Sequence, residues 1–170
     1  SVVSNNKNLD FNKAAHAVIG YDIQLSEHAR LKSEVYYQYL YNIAVDKSSS
    51  SFSMLNTGAT FTYPNNADLV NNGTGYNYGL EVTVERFLHH GFYYLFTTSL
   101  FESKYKGSDG MERNTAFNGN YVFNFLMGKE WKVGDNAIFS LDTKFNLAGG
   151  RRYTQIDLEA SIAAGEEVRP

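Results

Sequence analysis

The chain has 170 residues, no cysteine and a formal net charge of −3, and aromatic residues make up 15% of it. The absence of cysteine excludes a disulfide framework and a cysteine-ligated zinc site. The slightly acidic balance gives no basic patch for nucleic acid, so nucleic acid is not expected as a partner. No run of 18 apolar residues occurs, and the sequence therefore predicts no transmembrane helix.

Residues 14–25, AAHAVIGYDIQL, alternate apolar and polar positions, and 30–45, RLKSEVYYQYLYNIAV, do so more clearly. From Leu31 onward, every second residue except Ser33 is apolar or aromatic, and most of the residues between them are polar. This period of two is typical of a β-strand with two different faces. Similar alternation predicts strands at 74–88, 119–131 and 137–147, and β-propensity alone predicts one at 92–105. The connections predicted to be long loops are 46–73, 106–118 and 148–170.

Six consecutive strands predict an all-β fold, an antiparallel up-and-down meander. The predicted connections alternate between short and long, so all the tight turns lie at one end of the sheet and the long loops at the other. Outer-membrane barrels are built in this way. Such barrels begin at eight strands and must close, because unpaired backbone groups are costly in lipid. We therefore expect the chain to be a fragment, an arc of a large transmembrane β-barrel.

One face of these strands is rich in tyrosine and phenylalanine, and we predict that it faces lipid. Tyrosine favours this interpretation over a dry core, because its hydroxyl group needs a partner when buried and suits the membrane interface. An alternative is a soluble lipocalin-like β-barrel that binds a small apolar ligand. A further alternative is self-association of the isolated chain through its apolar face and open edges. The residues predicted to face lipid are Val35, Tyr37, Tyr39, Tyr41, Tyr78, Leu80, Val82, Tyr121, Phe123, Phe125, Phe139 and Leu141.

Arg151, Arg152 and Tyr153 follow a glycine pair at the start of the last predicted loop. We predict that they contact a ligand at the loop end, because guanidinium groups bind carboxylates and phosphates in a bidentate manner. The alternative is a structural anchor that pairs with Asp157 or Glu159.

Glu81 and Glu85 would share a strand face about 13 Å apart, which is too far for a glycosidase pair and favours a polar lumen. The adjacent histidines His89 and His90 indicate a solvated turn rather than a metal site. Nucleotide-binding, metalloprotease and serine-hydrolase motifs are absent from the sequence. No catalytic residue, metal or cofactor is predicted, and we expect a protein that is not an enzyme.

Several segments resemble barrel strands of TonB-dependent outer-membrane receptors of the type with a carboxypeptidase-regulatory-like domain. They are ESKYKGSDGMERNTAFNGNYVFNFLMGKEW, AGGRRYTQIDLEAS, GYNYGLEVTVERF and the stretch from NLDFNK to the end of the second strand. The resemblance implies a 22-stranded barrel that is closed by a plug domain. It also implies import of a nutrient ligand across the outer membrane of a Gram-negative bacterium, driven by the TonB complex. Only the barrel-wall role is carried over to residues of this chain, because the plug and the TonB-binding segment are not part of it.

Overall fold

The computed structural model describes residues 6–59, 68–150, 152, 156 and 158–165. This part of the chain forms one seven-stranded antiparallel sheet, and the predicted all-β up-and-down meander is confirmed. A 3-10 turn covers Met54–Asn56, and a short helix, α1, covers Leu158–Ala164. The strands are β1 (Lys13–Ser26), β2 (Ala29–Asp46), β3 (Leu69–His89), β4 (Phe92–Lys106), β5 (Glu112–Asn114), β6 (Tyr121–Val133) and β7 (Ala137–Ala148).

The order of strands across the sheet is β1-β2-β3-β4-β6-β7, and the short strand β5 pairs with the end of β4. Among the described residues β1 and β7 do not pair with each other, so the sheet is open at both edges. Both edge strands are exposed along their whole length. Their outer backbone groups are therefore available for pairing with further strands.

The three shortest connections among the described residues lie at one end of the sheet, as predicted. Between β3 and β4, His90 and Gly91 have φ angles of 52° and 67°. Positive φ at both central residues is what a type I′ hairpin turn requires, and this turn matches the twist of the flanking strands. The connections between β1 and β2 and between β6 and β7 are also brief.

Strand β3 begins at Leu69, earlier than the predicted strand 74–88, so the predicted loop 46–73 ends at residue 68. The asparagines and glycine of residues 69–73 indicate a loop when considered alone. In the fold, however, Val70 pairs with Val45 of β2. The side-chain amide of Asn71 also donates to the carbonyl oxygen of Asn42 at 2.8 Å. Pairing with β2 therefore overrides the local loop preference.

The predicted loop 106–118 contains β5, and β6 then runs over 121–133 rather than 119–131. Residues 115–120 leave the sheet between these two strands, and we call this segment the detour. It is held by backbone hydrogen bonds to β4, from Thr115 N to Ser103 O at 2.9 Å and from Phe101 N to Asn120 O at 2.8 Å. The predicted loop 148–170 contains helix α1.

The sheet is a single layer with almost no core of its own. The buried apolar side chains of the described residues are Ile43, Ala44, Val45 and Tyr105, and they lie near the loop end. The accessible surface is 12129 Å², whereas a folded monomer of 19.2 kDa exposes about 8,400 Å². Both faces of the sheet are therefore largely uncovered.

Candidate membrane-facing surface

The strand register aligns apolar side chains across the whole sheet. Val35 pairs with Ile19 on one side and with Leu80 on the other, and Leu80 pairs in turn with Leu100. A second row, four residues along the strands toward the turn end, is Leu31, Val84, Phe96, Phe125 and Phe145. We call the surface that contains these rows the apolar face. All the residues that were predicted to face lipid lie on it, while their contact with lipid stays a prediction.

Charge differs between the two sides over the middle of the sheet, and the charged residues of the apolar face, among them Arg86, Glu102 and Lys129, lie toward its ends. On the apolar face, no charged side chain lies between Tyr76 and Val84 of β3, or between Tyr121 and Met127 of β6. The opposite surface, which we call the polar face, carries charged residues on almost every long strand. They are Asp22, Arg30, Lys32, Glu34, Glu81, Glu85, Glu130, Lys132, Asp142 and Lys144.

The uncharged band has the dimensions of a bilayer core. On β3 it extends from Tyr76 to Arg86, ten residues apart, and on β6 from Tyr121 to Lys129, eight residues apart. On β4 it ends at Glu102, which pairs with Tyr78. A tilted strand crosses the hydrocarbon core with about 9–11 residues. Tyrosine, tryptophan and arginine at the margins are typical of the membrane–water interface. Aromatic rings also pair there, as in Trp131 and Phe139 with centroids 5.6 Å apart.

Strand β4 shows why its two faces could not be told apart from sequence. Its apolar face carries Phe96 and Leu100, but its polar face also carries aromatic residues, among them Tyr93 and Phe101. Neighbouring strands with clear alternation fix the assignment, because Leu100 pairs with Leu80. Sequence reasoning therefore missed part of the apolar face, namely Phe96, Leu100 and Trp131, whereas alternation in 137–147 already placed Phe145 and Leu147 with Phe139 and Leu141.

Side chains on the polar face pair with each other across strands. Arg30 forms a bidentate ion pair with Asp22, with its Nε atom 2.8 Å from Oδ1. Asn77 donates from Nδ2 to the side-chain oxygen of Gln38 at 2.7 Å. Asn124 donates to the hydroxyl oxygen of Thr97 at 3.0 Å. Such ladders of polar pairs satisfy side chains on a surface that water reaches.

Two tyrosines on this face lie across glycines of the next strand. Tyr36 covers Gly79, where an added Cβ atom would lie 2.8 Å from the tyrosine hydroxyl oxygen. Tyr93 covers Gly128, and its hydroxyl group donates to Asp142 Oδ1 at 2.7 Å. Aromatic side chains thus fill the space that glycine leaves in a sheet. The glycines fix the direction in which these two rings lie.

A cavity of about 490 Å³ lies on the polar face near the loop end. Side chains from β1 to β4 form its wall, and Phe117 of the detour forms its rim. The lining residues used below are His16, Glu34, Tyr36, Gln38, Asn77, Glu81, Phe101 and Phe117. Glu81 is on the polar face, as its predicted lumen role requires, but sequence alone gave no sign of the cavity.

The long connections pack against one another at the loop end. Ser50 N donates to Ser108 Oγ at 2.9 Å, and Ala116 N donates to Asn56 Oδ1 at 3.0 Å. These bonds join the segment after β2 to the segments on both sides of β5. The described parts of the connections after β2 and on both sides of β5 therefore form one hydrogen-bonded group, which reaches the cavity at Phe117.

Within this group, Arg113 makes a bidentate ion pair with Asp109 at 2.9 and 2.7 Å. The guanidinium group holds the pKa of the Asp109 carboxyl below its ordinary value, and the Met111 N–H bond acts in the same direction. The carboxylate in turn raises the pKa of Arg113. The pair closes the turn that leads into β5.

The predicted ligand-contact residues are only partly described. Arg151 and Tyr153 lie outside the described residues, as does the proposed anchor Asp157. Arg152 is exposed, and its Nη2 atom donates to Asn120 Oδ1 at 3.0 Å. This bond joins Arg152 to the detour rather than to Glu159.

The histidines at the turn end stack instead of converging on a point. The ring of His89 lies 3.7 Å from that of His28 and 3.9 Å from that of His90, measured between centroids. No group of three or more histidine or acidic side chains able to hold a metal ion occurs in the described part of the chain.

A comparison of the chain with protein-family models, with curated proteins and with solved structures finds no match. Within the ranges that the structure describes, no helix has both the length and the apolarity needed to cross a membrane.

Proposed function

We propose that this sheet is part of the wall of an outer-membrane β-barrel that imports a nutrient ligand, as TonB-dependent receptors do. The observation that carries the proposal is the contrast between the two faces. The apolar face has an uncharged band of eight residues on β6 and ten on β3, close to the ~9–11 residues of a tilted membrane strand. The polar face carries ion pairs and amide pairs. A lipid-facing exterior and a wet lumen account for both.

The open edges support the same proposal. β1 and β7 expose backbone N–H and C=O groups on their outer sides, and in lipid each unpaired group costs several kcal/mol. A wall that continues into further strands on both sides satisfies these groups. A soluble lipocalin-like barrel would have its apolar face inside a closed cylinder, whereas here that face is exposed on an open sheet. When isolated, the chain is expected to self-associate through the same edges.

In this proposal the role of the chain is passive. The apolar face meets outer-membrane lipid of a Gram-negative bacterium, and the polar face lines the lumen. The hydrogen-bonded long connections form part of the extracellular mouth, and the tight turns face the periplasm. Energy from the TonB complex enters through other parts of the receptor.

The single tryptophan, Trp131, allows a direct test. The whole chain is reconstituted into phosphatidylcholine vesicles, and Trp131 fluorescence is measured with brominated acyl chains and, separately, with aqueous iodide. We expect strong quenching by the bilayer bromines and weak quenching by iodide, because Trp131 lies at the margin of the uncharged band.

The control moves the fluorophore to the other face at the same depth, through Trp131→Phe combined with Lys132→Trp. Lys132 is adjacent to Trp131 and lies on the polar face. This variant should show the reverse preference, with iodide as the stronger quencher. Equal quenching patterns in the two proteins would contradict the proposed orientation of the faces.

A further inference from the structure

The cavity on the polar face has the size of a small-molecule site. Its volume of about 490 Å³ falls within the range of roughly 300–1,000 Å³ that is typical of ligand pockets. Four neighbouring strands and the detour form its lining, so its shape is fixed by backbone pairing rather than by one loop.

Aromatic rings form one part of the lining. Tyr36 comes from β2, Phe101 from β4 and Phe117 from the detour. His16 meets Tyr36 edge-on, with ring centroids 6.1 Å apart. Aromatic faces attract both apolar groups and cations, so these rings favour a ligand with a flat or apolar part.

The charge in the cavity is negative. Glu34 and Glu81 are direct partners in the register of β2 and β3, a placement that costs stability because like charges then lie opposite each other. Glu34 pairs with Lys32 at 2.8 Å, but no ion pair among the described residues involves Glu81. The described lining includes no lysine or arginine. A cation placed here would compensate Glu81, and an anion would be repelled.

The amide pair in the cavity also offers an acceptor. Asn77 donates through Nδ2 to Gln38 at 2.7 Å. This hydrogen bond orients the Asn77 side chain, and its Oδ1 atom accepts from no other described residue. This carbonyl oxygen is a second acceptor in the cavity, separate from the carboxylate, for an N–H donor of the ligand.

We infer that this cavity binds an organic cation, an ammonium or guanidinium group attached to a flat or apolar portion. The carboxylate of Glu81 meets the charge, and the rings of Tyr36, Phe101 and Phe117 contact the remainder. This inference deepens the proposed function and rests on it, because it names the ligand class of the face that is taken to line the lumen.

The test compares three probes that differ in charge and share one ring: 2-phenylethylammonium, 2-phenylethanol and phenylacetate. Binding to the whole chain in non-ionic detergent is measured by isothermal titration calorimetry. We expect the cation to bind most tightly and the anion least. Equal affinities for the three probes, or tighter binding of phenylacetate or 2-phenylethanol than of the cation, would overturn the inference.

Substitutions locate the site. Glu81→Gln should weaken binding of the cation about tenfold, because a charge-assisted hydrogen bond is lost, and should leave 2-phenylethanol unaffected. Glu85→Gln changes a carboxylate of the same strand and face that does not line the cavity, and it should leave all three affinities unchanged. Equal effects of the two variants would place the cation elsewhere.

Trp131 quenching by detergent with brominated chains is recorded on the same samples. If Trp131 is quenched but the protein does not prefer the cation, only the proposed ligand class is refuted. If Trp131 is not quenched, the proposed orientation of the sheet in lipid is refuted, whichever probe the protein binds. The two failures are therefore distinguishable.

Discussion

Replacing Leu100 by arginine tests the apolar face within its uncharged band. Leu100 pairs with Leu80, which lies four residues from Tyr76 and six from Arg86 on β3, and on β4 the next residue of the same face toward the loop end is Glu102. Arginine at the midplane of a membrane barrel costs about 2–4 kcal/mol, which lowers the folding equilibrium constant roughly 30- to 900-fold. If water covered this face, the cost would be within about 0.5 kcal/mol, because Leu100 is already 43% exposed.

The assay is urea unfolding of the whole chain in phospholipid vesicles, followed by Trp131 fluorescence. The matched control is Ser99→Arg, because Ser99 is adjacent on β4 and faces Glu81 on the polar side. We expect the control to change the free energy of unfolding by less than about 0.5 kcal/mol. A cost for Ser99→Arg as large as that for Leu100→Arg would refute the assignment of faces.

Two further predictions concern the polar face and the loop end. Gly79→Ala should destabilise the chain by about 1–3 kcal/mol in urea titrations, because its Cβ atom would lie 2.7 Å from the backbone oxygen of Leu100. Gly150→Ala has open space around its Cβ atom and should be neutral; an equal loss in both would contradict the steric reason. Because the folded-state pKa of Asp109 lies below the ordinary 3.8, the ion pair with Arg113 stabilises the turn above that pH and is lost as the pH falls through the lowered value. Amide hydrogen exchange in 107–111 should accelerate over that acidic range in the wild type and show no such step in Asp109→Asn.

The sequence predicted a strand and its two faces wherever one face of the strand is apolar and the other is polar. In β2 the alternation around Val35 predicted both the strand and its apolar side, because a period of two has one structural meaning. The start of β3 could not be predicted from the sequence, because Asn71 and Gly73 favour a loop. Only the neighbouring β2 residues, such as Val45, make this segment a strand. The three polar residues of β5 carry no strand pattern at all, and only their pairing with β4 makes them a strand.

The candidate sites divide in the same way. Membership of the apolar face follows from local alternation and was predicted for residues such as Tyr37 and Phe139. The cavity depends on register between distant strands, which brings His16, Glu34 and Glu81 together and which periodicity does not specify. The detour that supplies Phe117 was equally hidden, because the backbone hydrogen bonds that hold it against the sheet are made to β4, a strand that the sequence pattern of the detour itself does not indicate.

The small number of buried apolar side chains has a calorimetric consequence. The heat-capacity increment of unfolding scales with the apolar surface that becomes exposed. Ile43, Ala44, Val45 and Tyr105 supply little such surface, so melting this sheet by itself in water would give a small increment. A large heat-capacity increment would therefore come from apolar surface buried between the sheet and another molecule. Its size would depend on the assembly that contains the sheet rather than on the chain alone.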